Sequence, residues 1–255
     1  MSQPPVKSAL RTFEVLELFA ERRVPLRLQD IHGALGYPQS STTALLKSMV
    51  GRGYLNYDRD HRTYLPTTRV SMLGNWLPDF IQAAGGYREL VEELQRRTDE
   101  TAALVTRNDL FVQYIILLTP NHEYQMAPQV GAMRKLVDSS AGLSLMARMD
   151  ERAIDKLVRY SNAYNSGDGL RVSFTEIIAK VEQVRRLGYA YVPNRPTPSV
   201  SSITMALEAD LYGVPLVLGV GGMADRIAAA KDDIVGVLRE LAHGFRPSPA
   251  GISPT

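Results

Sequence analysis

The sequence contains no cysteine. That absence excludes disulfide staples, cysteine-ligated zinc or iron–sulfur centres, and thiol nucleophiles, and it fits a reducing compartment. Histidine is scarce as well: His32, His61, His122 and His243 lie far apart, and none has the spacing of a metal pair. No metal and no other cofactor is therefore expected. No stretch is apolar and long enough to cross a bilayer, and the opening residues Met1 to Lys7 are polar and proline-bearing, unlike an export signal. A cytoplasmic protein without a membrane partner is the expectation. No serine sits in a G-x-S-x-G elbow, and the neighbours His122 and Glu123 read as solvated loop rather than as an acid and base. No catalytic residue is assigned and no enzyme is expected.

What is present divides in two. A chain of 255 residues exceeds the usual single-domain size, and 45% hydrophobic residues suffice for two cores. The net charge of +2 is uneven: through Gly74 there are ten Lys/Arg against six Asp/Glu, leaving 19 against 21 in the remainder. A basic small domain joined to a slightly acidic larger one suggests a phosphate-binding end and an end with another task.

In the first part, Leu10, Phe13, Leu16, Phe19 and Ala20 recur at helical spacing, with Arg11, Glu14, Glu17 and Glu21 opposite. A second helix, Leu28 to Leu35, turns Leu28, Ile31 and Leu35 inward and stops at Gly36. Pro38 suits the first turn of a third, whose inward stripe is Thr42, Leu45, Leu46, Met49 and Val50. Two short helices joined by Gly36-Tyr37-Pro38 form a helix-turn-helix, the second entering the major groove of double-stranded operator DNA. Geometry then leaves Gln39, Ser40, Thr43, Ala44 and Lys47 outward, with Ser41 beside them, as groups able to meet base edges or phosphates. Two aromatic-rich runs, Gly53 to Tyr57 and Thr63 to Leu65, flank a polar loop and read as a hairpin wing. Arg59, His61 and Arg62 would lie along the DNA backbone or minor groove.

These residues resemble the IclR family of bacterial transcription regulators. The likeness runs through Ser8 to Leu18, Leu28 to Leu35, Pro38 to Leu46, Gly51 to Leu55 and Tyr64-Leu65. It continues through Val137 to Ala147, Arg186 to Ala190 and Ser199 to Ile203, in the family's order and spacing. Departures occur at Ala44, where the family usually carries arginine, at Ser199, at Met205-Ala206, and at Leu143 after Gly142. The resemblance implies a winged helix-turn-helix over 1–67, a linker helix and dimerisation segment over 68–85, a GAF-like effector-binding domain over 86–247 and a tail over 248–255. It also implies a homo-oligomer, a dimer or tetramer, paired through the linker. Val70, Met72, Leu73, Trp76 and Leu77 give that linker more apolar surface than a lone helix tolerates.

Beyond Gly86 the pattern reads as antiparallel strands with helices segregated around them, an α+β fold. Predicted strands are Thr101 to Arg107, Leu110 to Leu118, Glu123 to Pro128, Tyr189 to Val192, Ser201 to Leu207 and Pro215 to Val220. Predicted helices are Tyr87 to Arg97, Ser140 to Arg148, Glu151 to Tyr160, Thr175 to Leu187 and Asp225 to His243, with a loop at Asn165 to Gly169. Asp138 to Gly142 opens a helix, where free N–H groups and small side chains suit a carboxylate. Ser139, Ser140, Ala141 and Gly142 are thus candidate contacts for a small organic acid effector. Ser201, Ser202 and Ile203 would face them, and Met126, Met146 and Met205 would supply adaptable apolar walls. Pro193 to Pro198 reads as a rigid loop covering that pocket. Gly219 to Ala224 imitates a dinucleotide fingerprint, but no second parallel strand follows, so a strand-end turn is expected. The favoured expectation is an effector-modulated transcription regulator. An architectural DNA binder without effector, or an enzyme with an N-terminal interaction module, are the alternatives.

Overall fold

The computed structural model describes residues 6–76, 86–120, 128–164, 171–195, 197–211 and 213–247. It separates into two compact units, 1–80 and 81–255. In the first, helices α1 (Lys7–Arg22), α2 (Leu28–Leu35) and α3 (Gln39–Gly51) are followed by strands β2 (Leu55–Asp58) and β3 (Thr63–Pro66) and by α4 (Thr68–Met72). A two-residue strand, β1 (Leu26–Arg27), completes a three-stranded sheet in the order β1-β3-β2. Its core gathers Val15, Leu18, Phe19, Ile31, Leu46, Met49, Leu55 and Tyr64. The α1 stripe therefore differs from the predicted one: Val15 and Leu18 are buried, whereas Leu10 and Phe13 stand 46% and 64% exposed and Ala20 is also outside. Helix α1 carries two apolar stripes, and only one fits this small core.

The α2–α3 turn is built from local chemistry. Gly36 takes φ +67, a conformation glycine adopts without a Cβ penalty, and its N–H closes onto the His32 carbonyl. Pro38 then caps α3 rather than entering it, its carbonyl accepting from the Thr42 N–H at 3.1 Å.

In the second unit six antiparallel strands lie in the order β6-β5-β4-β9-β8-β7. They are β4 (Thr101–Asn108), β5 (Phe111–Leu118), β6 (Met133–Lys135), β7 (Ala190–Val192), β8 (Val200–Leu211) and β9 (Val214–Met223). One face buries Leu104, Ile203, Met205, Leu207, Leu218 and Val220 beneath α5 (Tyr87–Thr98) and α10 (Lys231–Gly244). On the opposite face, Ala103, Val105, Val112 and Val217 share a core with residues of α6 (Ser140–Met146), α7 (Glu151–Tyr164) and α8 (Phe174–Leu187). The result is an α+β domain joined to a helix-turn-helix. Alternation along each strand sends successive side chains into different cores, which matters for the site below.

Three expectations need revision. The glycines from 219 to 222 lie inside β9, not in a turn at its end. Gly222 leaves room for the Glu100 carboxylate, since a Cβ there would stand 2.3 Å from Oε2. The predicted helix Asp225 to His243 is two, α9 (Ala224–Ala229) and α10, broken at Ala230, and no local residue explains the break. Strand β6 and the 3-10 turn Leu136–Asp138 were not foreseen. The predicted strand Glu123 to Pro128 and loop Asn165 to Gly169, and the linker beyond Trp76, lie outside the described residues except for Pro128.

Candidate functional site

Two sites merit attention, one in each unit. On α3, Thr42, Leu46 and Met49 anchor the helix, while Gln39, Ser40, Ala44 and Lys47 are exposed and Ser41 and Thr43 half-buried. Four of its hydroxyls are already engaged within the helix. Ser41 and Thr42 donate to the Pro38 carbonyl at 3.0 and 3.1 Å, and Thr43 to Gln39 at 2.8 Å. With its proton directed into the helix, Thr43 presents lone pairs and a methyl outward, so it can accept from a base amino group or pack on a thymine methyl.

The wing pairs Leu55 with Pro66 through Asp58 with Thr63, and Tyr57 packs on Tyr64 at 4.7 Å between ring centres. Asp58 organises the tip: its Oδ1 accepts from the N–H groups of Asp60 and His61 at 2.9 and 3.1 Å. Its other oxygen lies 2.7 Å from His61 Nδ1. The His61 side-chain hydrogen bond, aided by these backbone donors, holds the Asp58 carboxyl below its usual value. Asp58 thus engages His61, and Arg59 and Arg62 are exposed wing cations without a carboxylate partner among the described residues.

In the second unit a cleft opens on the face of the sheet that carries α6. Its interior holds about 90 Å³. Ala103, Ser202, Thr204, Gly219 and Gly221 form a floor of small residues from three adjacent strands. The lack of side chains is structural at Gly219, where a Cβ would stand 2.6 Å from the Thr204 methyl. Gly221 has no neighbour nearer than 3.8 Å to such an atom. A strand glycine here is a place where another molecule can approach the backbone. Ser139, Ser140 and Ala141 form the rim, and Ser140 Oγ lies 2.8 Å from Ser202 Oγ.

The charge comes from residues that sequence reasoning missed. Arg134 is the middle residue of the unforeseen β6, and Arg195 lies in the proline-rich loop, 2.9 Å from Asp138 Oδ1. Thr101, Tyr114 and Thr197 complete the polar lining. Burial raises the Tyr114 phenol above its ordinary pKa, opposed by the Arg134 charge, so at neutral pH it keeps its proton and can donate.

Of the predicted effector contacts, Ser139, Ser140, Ala141 and Ser202 line this cleft. Ile203 and Met205 do not: strand alternation places them in the core on the other face. Met146 is fully buried beneath the sheet. Gly142 is a packing residue, because a Cβ there would stand 1.7 Å from the Leu136 carbonyl oxygen. Ser201 is buried and accepts from the Asn194 N–H at 3.2 Å, pinning the start of the proline-rich loop. Met126 lies outside the described residues. The predicted helix opening is present, with Ser139 Oγ accepting from the Gly142 N–H at 3.0 Å, but α6 has seven residues and a correspondingly short dipole.

The profile of the IclR helix-turn-helix domain matches residues 8–59. That of the bacterial transcriptional regulator IclR C-terminal domain matches residues 81–245. The chain is 22% identical over 187 residues to the HTH-type transcriptional regulator XynR of Escherichia coli K12, covering 73% of this chain and 74% of that protein. Its second unit resembles the effector domain of an IclR transcriptional regulator from Acinetobacter sp. ADP1, at 32% identity and a TM-score of 0.58 over 63% of this chain and 94% of that one. Over 93% of this chain and 96% of the other, the fold matches that of an IclR homologue from Microbacterium hydrocarbonoxydans complexed with 4-hydroxybenzoate, at 20% identity and a TM-score of 0.68. With both profiles matched in order along the reader and the cleft-bearing domain, the chain belongs to the IclR family of transcriptional regulators, with a helix-turn-helix DNA-binding domain and a C-terminal effector domain.

Proposed function

We propose that this regulator binds operator DNA as a homodimer or a larger homo-oligomer, and that a small organic acid in the cleft of the second unit changes its operator affinity. The observation that carries the reading is the cleft itself. Two guanidinium groups and a protonated phenol border a floor made almost entirely of small residues. Such a site favours one carboxylate on a compact, flat body, held by charge-assisted hydrogen bonds. The 4-hydroxybenzoate of the Microbacterium homologue has that chemistry.

On the DNA side, Gln39, Ser40, Ser41, Thr43, Ala44 and Lys47 meet the major groove, and Arg59, His61 and Arg62 lie along the backbone. Uncharged groups on α3 read bases, while the wing cations supply affinity that does not depend on sequence. Assembly is supported by apolar surface in the first unit: Met72, Leu73 and Trp76 are 68%, 59% and 57% exposed, in addition to Leu10 and Phe13. Two readers on one duplex give the contacts a single short helix lacks.

A gel-shift titration with DNA flanking the chain's own gene tests the proposal. The full-length protein should retard one segment at a concentration at least ~1000-fold below that needed for random DNA. Added 4-hydroxybenzoate should move that midpoint, since a ligand shifts an equilibrium only through unequal affinity for two states. Retardation indifferent to sequence would overturn the DNA reading. A midpoint unmoved by 4-hydroxybenzoate or by a panel of related acids would overturn the effector reading.

A further inference from the structure

A second and larger cleft, of about 360 Å³, lies at the β7 edge of the six-stranded sheet. Its charged lining comes from four separate segments: Lys180 on α8, Lys231 at the start of α10, Arg195 in the proline-rich loop, and Asp138 in the 3-10 turn. Three cations thus face one carboxylate, and that carboxylate is already paired with Arg195. Among the described residues neither lysine has a carboxylate partner. Lys180 is exposed; Lys231 is half-buried, with its Nζ 5.4 Å from the Tyr191 ring centre and 5.9 Å from that of Tyr189. A cation held over two aromatic faces at the mouth of a concavity remains available to an anion arriving there. Between the charges the walls are apolar, formed by Val137, Leu143, Val184 and Leu187.

We propose that this cleft is a second binding site, for an organic dianion with an aromatic body, of the aromatic dicarboxylate class. Lys180 and Lys231 each meet a carboxylate, the tyrosine rings and aliphatic walls cover the ring, and two negative charges match the cleft's surplus of two cations. Arg195 and Ser139 line both this cleft and the one described above. A dianion here competes with Asp138 for Arg195 and so alters the field in the neighbouring cleft. That linkage rests on the effector reading above; the site itself does not.

Phthalate is the probe, titrated calorimetrically into the full-length chain. Saturable binding is expected, weakened about 100-fold in the K180Q/K231Q variant, roughly tenfold for each charge-assisted contact removed. It should persist in Ser202→Val, which alters only the first cleft. Lysine acylation read by mass spectrometry on the unaltered chain provides a measurement free of folding effects: phthalate should protect Lys180 and Lys231 and leave Lys7 and Lys47 unprotected. The proposal is overturned if the full chain shows no saturable phthalate binding. Affinity equal in the double variant, loss only in Ser202→Val, or unchanged acylation of both lysines would overturn it equally. A failure of 4-hydroxybenzoate and its related acids to move the gel shift sinks the effector reading and leaves these outcomes unaffected.

Discussion

Replacing Gly142 by alanine should destabilise the second unit although it adds only a methyl group to a helix. The new Cβ would stand 1.7 Å from the Leu136 carbonyl oxygen, 2.6 Å from its carbon and 2.9 Å from its Cα. Cβ atoms essentially never approach closer than 3.0 Å, so α6 and the 3-10 turn must separate by more than 1 Å. Every atom in the way is backbone, so no rotamer change can relieve the overlap. Overpacking of this kind costs about 3 kcal/mol, at the upper end of its usual range. The better helix propensity of alanine returns at most ~1 kcal/mol. The net loss of about 2 kcal/mol lowers the melting temperature of a unit this size by roughly 4–8 °C. Gly236→Ala is the matched control: it lies within α10, is exposed, and has nothing within 4 Å of its missing Cβ. It should raise the melting temperature by about 2–4 °C through propensity alone. Differential scanning calorimetry on the two variants and the parent decides the matter. A Gly142→Ala chain that melts with the parent or above it would refute the close-approach argument.

Other consequences can be checked independently. Gln39→Ala should alter base preference in a binding-site selection, whereas Arg62→Ala should weaken all duplexes alike and flatten the salt dependence by about one unit of slope; the reverse pattern would contradict the assigned roles. Gly221→Val places a β-branched side chain where the Cβ meets nothing nearer than 3.8 Å, so the fold should persist while cleft-dependent 4-hydroxybenzoate binding falls at least ~10-fold; unchanged binding would remove Gly221 from the floor. Glu240 accepts two hydrogen bonds from Arg97 at 2.8 and 2.9 Å, chiefly for which reason its carboxyl sits below the ordinary 4.5. The pair's contribution is therefore present above that value and lost as pH falls through the depressed one. A carbon-detected titration giving Glu240 a midpoint at or above 4.5 would contradict it.

Much of this was legible in the sequence wherever pattern and chemistry agreed. Leu28, Ile31, Leu35 and the Gly36 stop marked α2, and the alternating aromatics around Asp58 to Arg62 marked the wing. The α1 stripe misled because Leu10 and Phe13 share the helical period of the buried set without sharing its face. At the cleft, the opening of α6 was visible through its run of small residues, and four of the ten predicted contacts line it. The rest depended on strand parity. Ser202 and Thr204 face the cleft while Ile203 and Met205 do not, and the polar–apolar alternation of Ser202-Ile203-Thr204-Met205 carried that division, which assigning Ile203 and Met205 to the pocket overlooked. What the alternation could not supply is the partner strand, since the register against Gly219 and Gly221 is a tertiary fact. Arg134 was missed together with its short strand β6, and Arg195, although its loop was expected to cover the pocket, was not named as a contact because nothing local shows which way a loop arginine turns.

The two-faced strands β8 and β9 have an evolutionary meaning. Residues 203, 205, 218 and 220 secure the domain, while their neighbours 202, 204, 219 and 221 shape what it can hold. If the cleft holds the effector as proposed, ligand preference is written on alternate codons of a scaffold whose interior lies on the reverse side. Mutation can add a side chain to the cleft floor at Gly221 with little risk to folding, whereas Gly219, locked against Thr204, can drift only if its neighbour shrinks with it.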